Sequence, residues 1–221
     1  MSATRAFKFI VTGFFFGLIV SVRSIGVGAP VEVEGAVRQD TAWSGEVLVA
    51  GDVLVPEGVT LTIMPGTKVM FVASESSKIE PVYLSMQTEI MVRGRLLVKG
   101  GTDRPVVFMP APEDMNTKRP ERGDWGGLIF DGPASGGSVI ANARFVMADT
   151  AVQTFNSSPA AVGCSFEDCR YGVVCMGGGR PVIAGCVITG GEFGVVAARG
   201  SKPSLEATKV EGNEHDLLLR D

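Results

Sequence analysis

PAAVGCSFEDCRYGVVCMGGGR (159–180), PVIAGCVITGGEFGVVAARGSK (181–202) and PSLEATKVEGNEHDLLLRD (203–221) are successive copies of one unit with a period of 22 residues. Pro159, Pro181 and Pro203 share a register, as do Cys164, Cys186 and Thr208, and then Phe166, Ile188 and Val210. Gly172, Gly194 and Asp216 follow, then Val173, Val195 and Leu217, then Cys175, Ala197 and Leu219. The preceding unit joins at a spacing of 21, with Ala143, Phe145, Ala151 and Val152 over Cys164, Phe166, Gly172 and Val173. Within a unit the apolar residues alternate, Val162, Cys164 and Phe166 in one set, Val173 and Cys175 in another. Alternation over segments this short means strands with one buried face. The breaks fall at Gly177–Gly179 and Gly190–Gly191, where turns call for residues tolerant of positive φ. No unit carries a helical stripe, so the repeat predicts a β-solenoid. Its coils stack at about 4.8 Å, with like residues in inward ladders.

Towards the N-terminus the same logic runs at a longer period. Val53, Val55, Leu61, Ile63, Val69 and Phe71 alternate through GDVLVPEGVTLTIMPGTKVMF (51–71), and EIMVRGRLLVKGGTDRPVVF (89–108) repeats the theme. Val69 and Phe71 are matched to Val106 and Phe108 at a spacing of 37, with the extra length in polar insertions near 73–87 and 110–124. Insertions into a solenoid leave the stack as surface loops. TAWSGEVLVAGDVLVPEGVTLTIMPGTKVMF (41–71), the 89–108 segment and GDWGGLIF (123–130) resemble secreted and cell-surface bacterial proteins of the right-handed parallel β-helix, pectin-lyase-like class. The resemblance spans roughly 41–218 and implies an all-β, single-stranded right-handed parallel β-helix. It does not imply one function, since that class holds polysaccharide lyases, hydrolases, adhesins and non-enzymatic surface proteins.

The first residues read as an export signal. Arg5 and Lys8 precede an uncharged apolar run from Phe9 to Val22, and small residues follow at Ser24, Gly26 and Gly28. That run is short of the roughly 20 apolar residues a permanent membrane span needs, and it suits a cleaved signal peptide over 1–28. The expected location is therefore outside the cytoplasm: periplasm, cell surface or medium. Residues 29–44 are expected to cap the stack and 45–221 to form it. Removing 1–28 takes away Arg5, Lys8 and Arg23, leaving 17 basic against 24 acidic residues, a net charge of −7. Nucleic acid is an unsuitable partner for such a surface, because phosphate binding needs a basic stripe.

Chemistry is sparse. Segments of the polygalacturonase type (NTD, DD, GHG, RIK) are absent, and the outward positions Val174, Met176, Val196 and Ala198 offer no acid, base or nucleophile. Glu167, Asp168 and Glu211 read as solvated charges at turn edges. His215, the single histidine, matches Tyr171 and Phe193 in register and reads as a turn residue. No pattern for a metal, phosphate or dinucleotide cofactor is present. Cys164 and Cys186 share an inward ladder position in adjacent coils, close enough to be disulfide candidates and expected as stacked buried thiols. Arg122-Gly123-Asp124 is read as a chance tripeptide at a strand start.

Two features are left for binding. The insertions carry Tyr83, Met86, Lys118, Arg119 and Arg122, with Trp125 directly after, and an aromatic ring beside cations suits a sugar ring or an acidic polymer. Tyr83, Arg119, Arg122 and Trp125 are the expected ligand contacts. The last coil carries Lys209, Glu211, Glu214, Asp216, Arg220 and Asp221, which read as a guard on an open sheet edge. An incomplete guard would let the chain add end to end to another β-helix. The expected function is that of a non-catalytic exported β-helix that binds or scaffolds glycan or envelope material. The alternatives are a polysaccharide lyase or hydrolase with an unfamiliar site, and a structural subunit that stacks through its ends.

Overall fold

The computed structural model describes residues 29–73, 87–112 and 123–220. Over those residues the chain winds seven times through three parallel faces. The first face is a seven-stranded sheet of Thr41–Trp43, Thr60–Ile63, Arg95–Lys99, Val139–Ala141, Ala160–Val162, Val182–Ala184 and Ser204–Glu206. The second continues through Lys68–Phe71, Val106–Pro110, Ala143–Val146, Ser165–Glu167, Val187–Thr189 and Lys209–Val210. The third continues through Glu89–Val92, Gly127–Asp131, Thr150–Phe155, Tyr171–Met176, Phe193–Ala198 and His215–Leu219. One long strand, Glu46–Val55, starts both of the latter faces, because its first half pairs with Lys68–Phe71 and its second with Glu89–Val92. Every strand pairing among the described residues is parallel, and parallel crossovers are right-handed in nearly all sheets. The molecule is a right-handed parallel β-helix.

In coils four to seven most corners between faces hold a residue in the left-handed region. Between the first and second faces these are Asn142, Gly163, Gly185 and Ala207, and between the second and third Met147, Asp168, Gly190 and Gly212. Asn156, Gly177 and Arg199 turn the chain from the third face back to the first. Most are Gly, Asn or Asp, the residues that tolerate this conformation best. The corner at Gly163 (φ 62) corrects one reading of the sequence. Val162 and Cys164 fall on different faces, so Val162 is 43% exposed while Cys164 is buried.

The 22-residue register holds throughout: Phe166 pairs with Ile188, Ile188 with Val210, Val173 with Val195 and Val195 with Leu217. The longer N-terminal register is displaced by two residues from the expected one. Val69 pairs with Phe108, not Val106. The chain between Lys99 and Val106 is longer than that between Ile63 and Lys68, which displaces the strand. A shift of two keeps every side chain on the same face, so hydrophobic alternation cannot detect it. The expected start of the stack also moves. Thr41–Trp43 already pairs with Thr60–Ile63, so the first coil begins at 41, and among the described strands only Val31–Ala36 precedes it.

A column of rings runs down the core. Trp125 stacks on Phe71 with centroids 4.1 Å apart, Phe108 on Phe145 at 4.8 Å and Phe145 on Phe166 at 4.9 Å. Below Phe166 the ladder continues as Ile188 and Val210, while the third face narrows from Phe130 through Thr154 and Cys175 to Ala197. The two polar insertions, outside the described residues over 74–86 and 113–122, both link the second face to the third, in adjacent coils.

Candidate binding groove on the third face

The outward side of the third face carries three ladders. The middle one is apolar except at one rung: Leu54, Met91, Ile129, Gln153, Val174, Val196 and Leu218. Beside it, Tyr171, Phe193 and His215 stack ring on ring at 5.0 and 4.8 Å, the spacing of the coils themselves. On the other side Phe155, Met176 and Ala198 follow Asp131 in register. Together these ladders form a shallow groove of about 490 Å³, floored by Ile129, Val174 and Val196 and rimmed by Asp149, Arg170 and Arg220.

Asp149 and Arg170 of this rim are paired. Arg170 donates from Nε to Glu192 at 3.1 Å and from Nη1 to Asp149 at 3.4 Å, so one guanidinium joins acids from the coils above and below. The same guanidinium lies 5.2 Å from the Tyr171 ring centroid. The hydrogen bond to Glu192, then the negative charges around it, raise the Arg170 pKa and keep it cationic. On the far side Arg93 Nε meets Asp131 at 3.1 Å.

The residues singled out from the sequence distribute as follows. Tyr83, Arg119 and Arg122 lie outside the described residues. Trp125 does not serve as a surface platform. Its ring is fully buried in the core column, and its Nε1–H donates to the carbonyl of Val146 at 2.8 Å. The polar residues around it suggested a loop, whereas the close turn at Gly123–Asp124 carries the chain inward. Cys164 and Cys186 are buried free thiols, as are Cys169 and Cys175, and the disulfide is not formed. The Cys164 N–H donates to Cys186 Sγ at 3.4 Å. The hydrogen bond to Cys186 and then burial push the Cys164 pKa up; burial pushes Cys175 up to about 12, and burial followed by the charges of Asp168 and Glu167 does the same to Cys169. These are core residues. Glu167 is bound by Arg144, whose Nε donates to both carboxylate oxygens at 2.9 Å. Asp168 is a left-handed corner, and Glu211 is an exposed residue of the last coil.

Two parts of the groove were missed. The register that aligns Tyr171, Phe193 and His215 is visible in the sequence, but a turn position was inferred where the residues form an outward ladder. Asp149, Arg170 and Glu192 also sit one coil apart, so alternation of sign at the repeat spacing was the available signal.

This geometry is that of a parallel β-helix with a polar-rimmed outer groove. Residues 35–157 match the family model described as pectate-lyase-like beta helix domain, and the chain belongs to that family. The match ends at 157, while the coils continue to Leu219 and carry the lower part of the groove. No curated protein and no solved structure matches the chain.

Proposed function

We propose that this chain is an exported β-helix that binds glycan or other envelope material along the groove of its third face, without cleaving it. The observation that carries this reading is the composition of the groove. An apolar floor flanked by stacked rings suits the carbon face of a sugar, and a rim of paired arginines and acids suits its hydroxyls. The rim acids Asp149 and Glu192 are both hydrogen-bonded to Arg170, a fixed arrangement that suits recognition. Export is supported by the basic residues Arg5 and Lys8 before the apolar run 9–22, which lies outside the described residues. Among the described residues no helix is long and apolar enough to cross a membrane.

A glycan array and envelope-fraction pull-down, run with the purified protein and with Val196→Glu, test the proposal. Val196 is an outward, half-buried residue in the floor, so the variant should fold, keep its far-UV spectrum and lose binding. Binding that survives the substitution would move the site elsewhere. Appearance of reducing ends or unsaturated products during incubation would replace the binding reading with an enzymatic one.

A further inference from the structure

The two ends of the stack are finished differently. At the N-terminal end Val31–Ala36 pairs with both halves of Glu46–Val55, at Val47–Val49 and Val53–Leu54, and Val33, Val37 and Trp43 are buried. At the C-terminal end the inward ladders stop in the open. Leu217 is 49% exposed and Leu219 is 66% exposed, although their partners one coil up, Val195 and Ala197, are core residues. With Leu205 they line a hollow of about 380 Å³ in the end of the solenoid. The charges expected to guard this end are present, but they sit around the apolar cross-section and leave it uncovered.

We infer that this end is an interface, and that its occupant is the same end of a second copy of the chain. Three observations select that partner. Among the described residues the C-terminal end exposes core and the N-terminal end does not, so a head-to-tail contact between them would set an apolar surface against one without a match. Like must meet like, which is an isologous two-fold contact that closes at a dimer.

The second observation is backbone direction. Lys209 and Glu211 donate their N–H groups back to Cys186 and Ile188 at 2.9 and 3.2 Å. Backbone groups alternate along a strand, so the N–H and C=O of Val210 point out of the end. A two-fold axis at Val210 makes the two edge strands antiparallel and lets the two Val210 residues exchange both hydrogen bonds.

The third is charge. With Val210 on the axis, Lys209 of each copy stands opposite Glu211 of the other, giving two cross-strand ion pairs from a single self-complementary sequence, Lys-Val-Glu. The same axis exchanges the first and third faces, which sets Leu217 and Leu219 of one copy over Leu205 of its partner. This inference is independent of the glycan reading, since the end and the groove floor are different surfaces.

Sedimentation velocity of the purified protein over a wide concentration range tests it. A monomer–dimer equilibrium that goes no further is expected. Lys209→Glu sets like charges opposite each other in both pairs and should raise the dimer dissociation constant about tenfold. Adding Glu211→Lys to the same chain restores opposite charges and should return most of that loss. Leu219→Asp, at a position exposed in the monomer, should keep the melting temperature of the dilute protein and abolish the dimer. A monomer at all concentrations would overturn the inference and leave the end to some other chain. So would an unbounded ladder of oligomers, or a dimer indifferent to both Lys209→Glu and Leu219→Asp.

Discussion

The first four coils and the last three are built on one backbone plan but filled differently. The upper coils hold the wide side chains, Phe71, Phe108, Trp125, Phe130 and Phe145, all fully buried. They also carry the two insertions. From the fifth coil downward Phe166 is the last ring of the core, and the inward positions become Cys175, Cys186, Ile188 and Ala197. The lower coils keep a strict 22-residue period and no insertion, and most of the outer groove lies on them. Stability is concentrated where rings are stacked inside; a regular outer surface is offered where the inside is plain. In a solenoid each coil contacts only its neighbours, so the two tasks can be assigned to different coils without competing for the same residues.

The sharpest way to break this comparison is to truncate one buried core side chain in each half. Trp125→Ala deletes a ring packed on Phe71 and an indole hydrogen bond to Val146, and should cost about 3–5 kcal/mol. Cys175→Ala removes one sulfur from the narrower lower core and should cost about 1 kcal/mol. Thermal or urea unfolding of the two variants measures both. Equal losses would mean that the ring column does not carry the upper half.

A smaller effect sharpens the same contrast at a corner. The turn from the second face to the third is glycine in coils six and seven, at Gly190 (φ 74) and Gly212 (φ 75), but methionine in coil four, at Met147 (φ 59). A Cβ at Gly190 would come within 2.4 Å of Asp168 Oδ1, so that corner has no room for a side chain. Met147 fits, yet its left-handed backbone costs about 1 kcal/mol relative to glycine. Met147→Gly should therefore raise stability by up to about 1 kcal/mol, offset in part by the greater freedom of glycine in the unfolded chain. A loss of stability would show that the methionine side chain contributes packing that outweighs the strain.

How much of this could be read from the sequence also divides between the halves. In the lower coils the period is constant, so the pairing of Phe166 with Ile188 and of Val173 with Val195 follows from counting alone. In the upper coils the corner segments differ in length, and an error of two residues leaves the hydrophobic pattern intact, which is why Val69 was matched to Val106 instead of Phe108. Trp125 was misplaced for a related reason. Its polar neighbours in the chain describe a loop, while Phe71 and Phe108, the rings that claim it, belong to earlier strands. The groove was half legible: its floor residues Val174, Met176, Val196 and Ala198 were recognised as outward, but a ladder becomes a surface only when all its rungs are seen together.

The smallest effect tests the seam between the halves, where Arg144 of coil four holds Glu167 of coil five. The hydrogen bond from Arg144 lowers the Glu167 pKa against the opposing effect of burial, so the carboxylate is favoured in the folded state. A folded pKa below the unfolded one means that the pair stabilises the protein fully above about pH 4.3, the ordinary glutamate value. That contribution fades as pH falls through the lowered folded value. Both side chains are substantially solvated, with 51% and 30% exposure, so screening limits the pair to less than about 1 kcal/mol. Glu167→Gln should destabilise the protein by that small amount at neutral pH, and the difference from the parent should vanish in acid, as read from urea midpoints at a series of pH values. A difference that persisted unchanged into acid would assign the effect to packing of the side chain, and the seam would then be held by shape in the same way as the coils on either side of it.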